Sequence, residues 1–212
     1  MSTVVYYKAT RPDATDFKTG RVHYEVGKRV RPEPFAGERR ICYAGYLHAA
    51  DVPAETLVGG NWPCRLFAVT GKPVVGFDDD HPSKGAFRQL TVVAEIPAYL
   101  ALGPNGREVA LLIDRAARLT ADEARGLAAA WAAAWDAAWD AAWYAAWDAA
   151  WDAAWYAAAW DAARGAAWDA ARGAAGDAAW YAAGALVVRD LITPKQFDLL
   201  YGPWRTVIEA SS

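Results

Sequence analysis

Residues 135–146 read WDAAWDAAWYAA, and residues 147–158 repeat them letter for letter. One extra Ala follows. WDAARGAA then occurs twice, at 160–167 and 168–175, and GDAAWYAA fills 176–183. Trp stands at 131, 135, 139, 143, 147, 151, 155, 160, 168 and 180, so ten of the 12 tryptophans lie in one quarter of the chain. From 131 onward the first column of the tetrapeptide holds only Trp, Arg or Gly, whose codons differ by one base. That pattern points to duplication at the DNA level. Large rings on an Ala-rich scaffold must be buried against something.

Ala is the strongest helix former, and no Pro interrupts 105–193. Thr120 with Glu123 three residues on is a capping box, and Asp122 and Glu123 suit the positive end of the helix dipole. Unbroken from 121 to 190, such a helix would be roughly 105 Å long, so it must project, fold back or assemble. Each step of four residues turns the Trp row by about 40° on a helix of 100° per residue. The row therefore sweeps around the helix and fits neither a 3.5-residue nor a 3.67-residue seam. Either neighbours on several sides or local π-bulges are required. Gly165, Gly173, Gly176 and Gly184 are the expected bending points. An Asp nearly every turn argues against a membrane span.

Working outward, residues 1–120 carry 16 basic and 13 acidic side chains, and residues 121–212 carry 6 and 12. The two parts are electrostatically complementary, and neither has the basic stripe of a duplex-DNA binder. Short β-branched or aromatic runs fill the N-terminal part: Val4–Lys8, Val22–Val26, Arg40–Tyr43, Arg65–Val69, Val74–Phe77 and Leu90–Ile96. Pro53–Leu57 reads as a short helix with Asp51 as its cap. At the other end, Thr193-Pro194 opens a helix that is expected to stop at Gly202-Pro203.

The fold class is therefore α+β. A small, mainly antiparallel domain over 1–100 leads through a connector, 101–120, into the repeat helix, 121–190, which is bent or folded back. A helical clasp over 191–212 closes the chain. Cys42 and Cys64 form no CxxC or His-rich ligand set, so two buried free thiols are expected, with no metal and no cofactor. The opening MSTVVYYKAT has no basic-then-apolar signal segment, and a cytoplasmic location is expected.

The run YKATRPDATDFKTGRVHYEVGKRV, with ICYAGYLHAAD, PCRLFAV and VVAEIP, resembles an uncharacterised domain family of phages and bacteria over about residues 5–98. The matching positions are Lys8, Tyr24, Gly27, Lys28, Cys42 and His48. The family's Gly-apolar-His segment reads Gly45-Tyr46-Leu47-His48 here, one residue longer, and Ala49 takes the small position after it. The resemblance implies a fold and a phage or actinobacterial origin, and it carries over no catalytic residues. The Ala/Trp repeat and the C-terminal tail are similar to those of actinobacterial and phage proteins.

Lys8, Tyr24 and His48 are the candidate ligand-binding residues. A Tyr/Lys opening strand followed by Gly-x-x-His is also similar to ADP-ribosyltransferase-like folds, which grip a nicotinamide dinucleotide, but no acidic catalytic partner accompanies it. Asp78-Asp79-Asp80-His81 reads as a solvated acidic loop rather than a cation site, and Gly59-Gly60 as a turn rather than a phosphate loop. No Ser-His-Asp or Cys-His constellation is present, and the reading leans away from an enzyme.

The expected function is a self-associating accessory protein. Its partners are itself and a host protein or small nucleotide, without duplex nucleic acid or membrane. The ten repeat tryptophans, Trp131 through Trp180, form the contact between copies, and the N-terminal domain recognises a ligand. The alternative is a nucleotide-binding or ADP-ribosyltransferase-like protein, for example one that sequesters a signalling nucleotide, with the helix as its oligomeriser.

Overall fold

A computed structural model of the chain describes residues 4–34, 45–78, 82–138, 142–152, 154–171 and 173–210, and within these the side chains of all but 136–138, 151, 152, 154–157 and 174. Arg40–Tyr43 (Cys42 included), Asp79, Asp80, His81 and Trp139 lie outside the described residues, as do the Trp151 and Trp155 side chains. The fold is α+β, and the chain divides into two compact units, Met1–Ala101 and Leu102–Ser212.

The first unit is a seven-stranded sheet formed by β1 (Val5–Thr10), β2 (Arg29–Val30), β3 (Leu47–Ala50), β4 (Arg65–Thr70), β5 (Pro73–Gly76), β6 (Lys84–Phe87) and β7 (Leu90–Ile96). Its order is β2-β7-β4-β1-β3-β6-β5, and every pairing is antiparallel. The β-branched and aromatic runs VYYKAT, RLFAVT and LTVVAEI make the centre, as their propensities dictate. One face buries Tyr6, Phe67, Val69, Phe87, Leu90 and Val92. Tyr6 meets Phe87 edge-on at 5.0 Å and stacks on Phe77 at 5.1 Å, contacts each worth about 0.5–1.5 kcal/mol beyond the area they bury.

Pairing along the sheet is uneven. β1 runs beside β4 in continuous register from Val5↔Thr70 to Thr10↔Arg65. With β3 it shares one pair, Tyr7↔Ala50. The sheet is thus split along most of the β1–β3 seam.

The segment expected to be a strand at Val22–Val26 is not one. It makes a single bridge, Thr15↔His23, and turns Tyr24 into the core. The cause is Asp16, whose carboxylate accepts from the backbone N–H groups of Thr19 (2.6 Å), Arg21 (3.1 Å) and Val22 (3.0 Å). One of those N–H groups, that of Val22, belongs to the expected strand itself, and Arg21 immediately precedes it. The chain then reverses at Gly27, whose φ of 82° suits only Gly without strain. The Pro53–Leu57 helix is present as a 3₁₀ turn, but its N-cap is Val52 and no side chain caps it, so Asp51 does not serve.

The second unit is helical: α1 (Gly106–Ala116), α2 (Ala121–Ala138), α3 (Tyr144–Asp152), α4 (Ala154–Ala171), α5 (Gly176–Val187) and α6 (Pro194–Trp204). The Thr120–Glu123 capping box forms in both directions at 3.2 and 2.8 Å, and a second one joins Thr193 to Gln196. The repeat folds back on itself. α5 is buried along nearly its whole length and packs against α1, α2, α4 and α6. Residues 142–143 are π-helical, and Gly173, at φ 61°, opens a 3₁₀ turn before α5.

Ala forms the most regular buried column of the repeat. Ala142, Ala146 and Ala150 are buried, then Ala159, Ala163 and Ala167, then Ala175, Ala179 and Ala183. All but Ala159, the extra residue, are last positions of tetrapeptides. A column of methyl groups permits close packing of helices, and the buried rings of Trp131 and Trp160 pack beside it. α6 does not stop at Gly202-Pro203. Pro203 lies inside the helix, and the chain continues as a π turn, Arg205–Glu209. Pro removes an N–H from the ladder, and the burial of Trp204 and Ile208 keeps the segment in place.

Candidate functional site

A cavity of about 530 Å³ opens in the first unit at the β1–β3 seam. That is within the range of small-molecule sites. Tyr7, Lys8 and Ala9 line it from β1, and Leu47, His48, Ala49 and Ala50 from β3. The Asp16–Tyr24 loop covers one side, while Glu55, Thr56 and Val58 from the 3₁₀ turn border the other. Lys8, Tyr24 and His48 all line this one cavity. Strand alternation places Lys8 on the face that carries Tyr6, and His48 on the opposite face. Lys8 borders the cavity from β1 and His48 from β3.

Lys8 is the unusual group. Burial pulls its amine down to about 8; Asp16 opposes that shift and Lys84 adds to it. Its Nζ lies 5.8 Å from the centre of the Tyr24 ring and meets no hydrogen-bond acceptor among the described residues. Asp16 influences it through space and makes no direct ion pair with it. Besides the three backbone donors, the Thr19 hydroxyl donates to Asp16 Oδ1 at 2.7 Å, so the carboxylate is held by its own loop. Burial alone would raise the Asp16 carboxyl, but these donors outweigh it and hold the group below its usual range.

Across the cavity, Glu55 is raised by burial and by Asp51, with Lys84 opposing. The Tyr24 hydroxyl is raised by burial and by Asp16.

Sequence reasoning missed Asp16, Glu55 and Lys84. Of these, Asp16 left a signal: Asp-Phe-Lys-Thr-Gly is a side-chain-to-backbone turn in waiting. Cys64 is buried and its thiol is pushed up to about 12, which leaves it inert. No group of three or more His, Cys, Asp or Glu gathers as for a metal among the described residues.

In the second unit the Trp row separates by environment. Trp131 and Trp160 are 5% and 1% exposed, their area already covered within the chain. Trp143 and Trp180 are half-buried, and Trp143 stacks on both Trp160 (5.2 Å) and Trp180 (5.0 Å). Trp135, Trp147 and Trp168 are 37%, 41% and 45% exposed. No helix among the described residues is long and apolar enough to cross a membrane.

No family model, curated protein or solved structure matches the chain. The resemblance to the phage and bacterial domain family rests on the motifs quoted above.

Proposed function

We propose that this chain is a self-associating receptor for a small ligand: the cavity of the first unit holds the ligand, and the repeat unit joins copies. The observation that carries the reading is the convergence of Lys8, Tyr24 and His48, far apart in sequence, on one cavity of about 530 Å³. Its lining is mixed in the manner of a specific site. Phe17, Tyr46 and Val58 offer apolar surface, and Lys8, Glu55 and Lys84 offer charge. Self-association is supported by three indoles that keep a third or more of their surface open. Identical copies associate most commonly as closed, symmetric assemblies.

The test is capture. The intact chain is equilibrated with a metabolite extract, washed and denatured, and released compounds are identified by mass spectrometry. One compound retained in stoichiometric amount supports the reading. An empty chain from every extract tried removes it.

A further inference from the structure

The unpaired amine of Lys8 has a chemical consequence that goes further than binding. It stands in the cavity with an aromatic face 5.8 Å away. The nearby carboxylate, Asp16, is taken up by Thr19, Arg21 and Val22. A second cation, Lys84, borders the same cavity. An amine that is desolvated, has no ion-pair partner among the described residues and feels a like charge is neutral, and so nucleophilic, in a larger fraction than an ordinary lysine.

We propose that Lys8 captures a small aldehyde or ketone in this cavity as an imine. This rests on the ligand-receptor reading above and names the class of ligand.

The chemistry closes without a co-reactant. The Nζ lone pair attacks the carbonyl carbon, a C–N bond forms, and the carbonyl π pair moves to oxygen. One amine hydrogen passes to that oxygen to give a carbinolamine. The C–O bond then breaks as the nitrogen lone pair makes C=N, and the oxygen leaves as water with the second amine hydrogen. Amine and carbonyl become imine and water, with nothing oxidised or reduced. Lowering the amine to about 8 raises its neutral fraction at pH 7 on the order of a hundredfold over an ordinary lysine. The cavity, at about 530 Å³, has room for a small carbonyl compound beside the amine.

The experiment uses the full-length chain and pyridoxal as the probe. Sub-stoichiometric pyridoxal is added at pH 7.5 with cyanoborohydride, which reduces the imine to a stable secondary amine, and peptide mapping locates the label among the six lysines. Lys8 is expected to label at least tenfold faster than Lys28, Lys72 or Lys195, with a rate that levels off above about pH 8. The Lys8→Met chain, checked for fold by circular dichroism, is expected to lose that fast label. If this variant misfolds, the wild-type map alone carries the test. Labelling of Lys8 no faster than of Lys28 and Lys72 overturns the imine. Metabolite capture is scored on separate, untreated samples, so a chain that retains a compound yet shows no preference at Lys8 loses the imine and keeps the receptor reading.

Discussion

The guanidinium carbon of Arg164 lies 3.2 Å from the centre of the Trp180 ring. Trp160 and Trp143 complete the enclosure at 3.9 and 4.6 Å. The acid beside it among the described residues, Asp161, is 3.9 Å away and mostly in solvent. Arg164 Nε is buried without a partner, and burial pulls the group down to about 10, with Asp161 and Tyr181 opposing. The side chain therefore acts mainly as a filler between three indoles. Its charge gains from the ring faces and loses from desolvation.

That balance sets a first expectation. Arg164→Ala should cost about 2–4 kcal/mol, through the void it leaves. Arg164→Met keeps most of the volume and removes both the orphan donor and the buried charge. It should fall within about 1 kcal/mol of wild type, or be more stable. Urea denaturation of the three chains decides. A Met variant as damaged as the Ala variant would show that cation–π attraction dominates.

Two glycines in the same bundle should respond with opposite signs. A Cβ at Gly184 would come within 2.8 Å of Trp160 Nε1 and 3.1 Å of Arg164 Cδ, whereas one at Gly165 meets nothing within 4 Å. Gly165→Ala should stabilise by about 0.5–1 kcal/mol, the ordinary helix gain. Gly184→Ala should lose about 1–2 kcal/mol net, since overpacking exceeds that gain. Thermal melts of both variants are the measurement, and equal shifts in one direction would contradict the packing described.

Asp16 links the fold to pH. Its folded carboxyl lies below the unfolded value, so its stabilisation is present above about pH 4 and lost as pH falls through the folded value. Asp16→Ala should cost about 2–3 kcal/mol at neutral pH, by orphaning loop N–H groups. The gap between wild type and variant should narrow steadily as pH falls from about 5 to 2. A gap independent of pH would mean the carboxylate is not what holds the loop.

The repeat tryptophans should divide by burial. Trp160→Ala should cost about 3–5 kcal/mol. Trp147→Ala should leave the fold as stable as wild type or more so, because Ala is the better helix former. Light scattering of the intact chain should give a multiple of 22.9 kDa. Replacing Trp135, Trp147 and Trp168 together should reduce that multiple while the helical signal persists. A wild-type monomer at micromolar concentration removes the assembly half of the proposal.

How much of this was legible in the sequence followed from the kind of signal each element carries. β7 stands out as LTVVAEI and β4 as RLFAVT, and both appear where patterning puts them. β3 (LHAA) and β6 (KGAF) hold no β-branched residue, and their strands come from pairing with each other, Leu47↔Phe87 through Ala50↔Lys84. Composition cannot announce that. Val22–Val26 alternates like a strand, yet one buried carboxylate takes the N–H groups at its entry, those of Arg21 and Val22. In the repeat, size drew attention to Trp, while the most regularly buried column is Ala. At the site, Lys8, Tyr24 and His48 could be named from short motifs. Glu55 and Lys84 could not, because only the split seam brings them to the same cavity.

The most direct measurement compares ligand capture by the wild-type chain and by Val58→Trp. Val58 lines the cavity but is 54% exposed, so an indole there narrows the mouth without disturbing the core. Native mass spectrometry after equilibration with the same extract should show a compound bound to the wild-type chain and absent from Val58→Trp, with both chains equally folded and equally associated. The same compound held equally by both chains, or by neither, would contradict the claim that the β1–β3 cavity is the binding site.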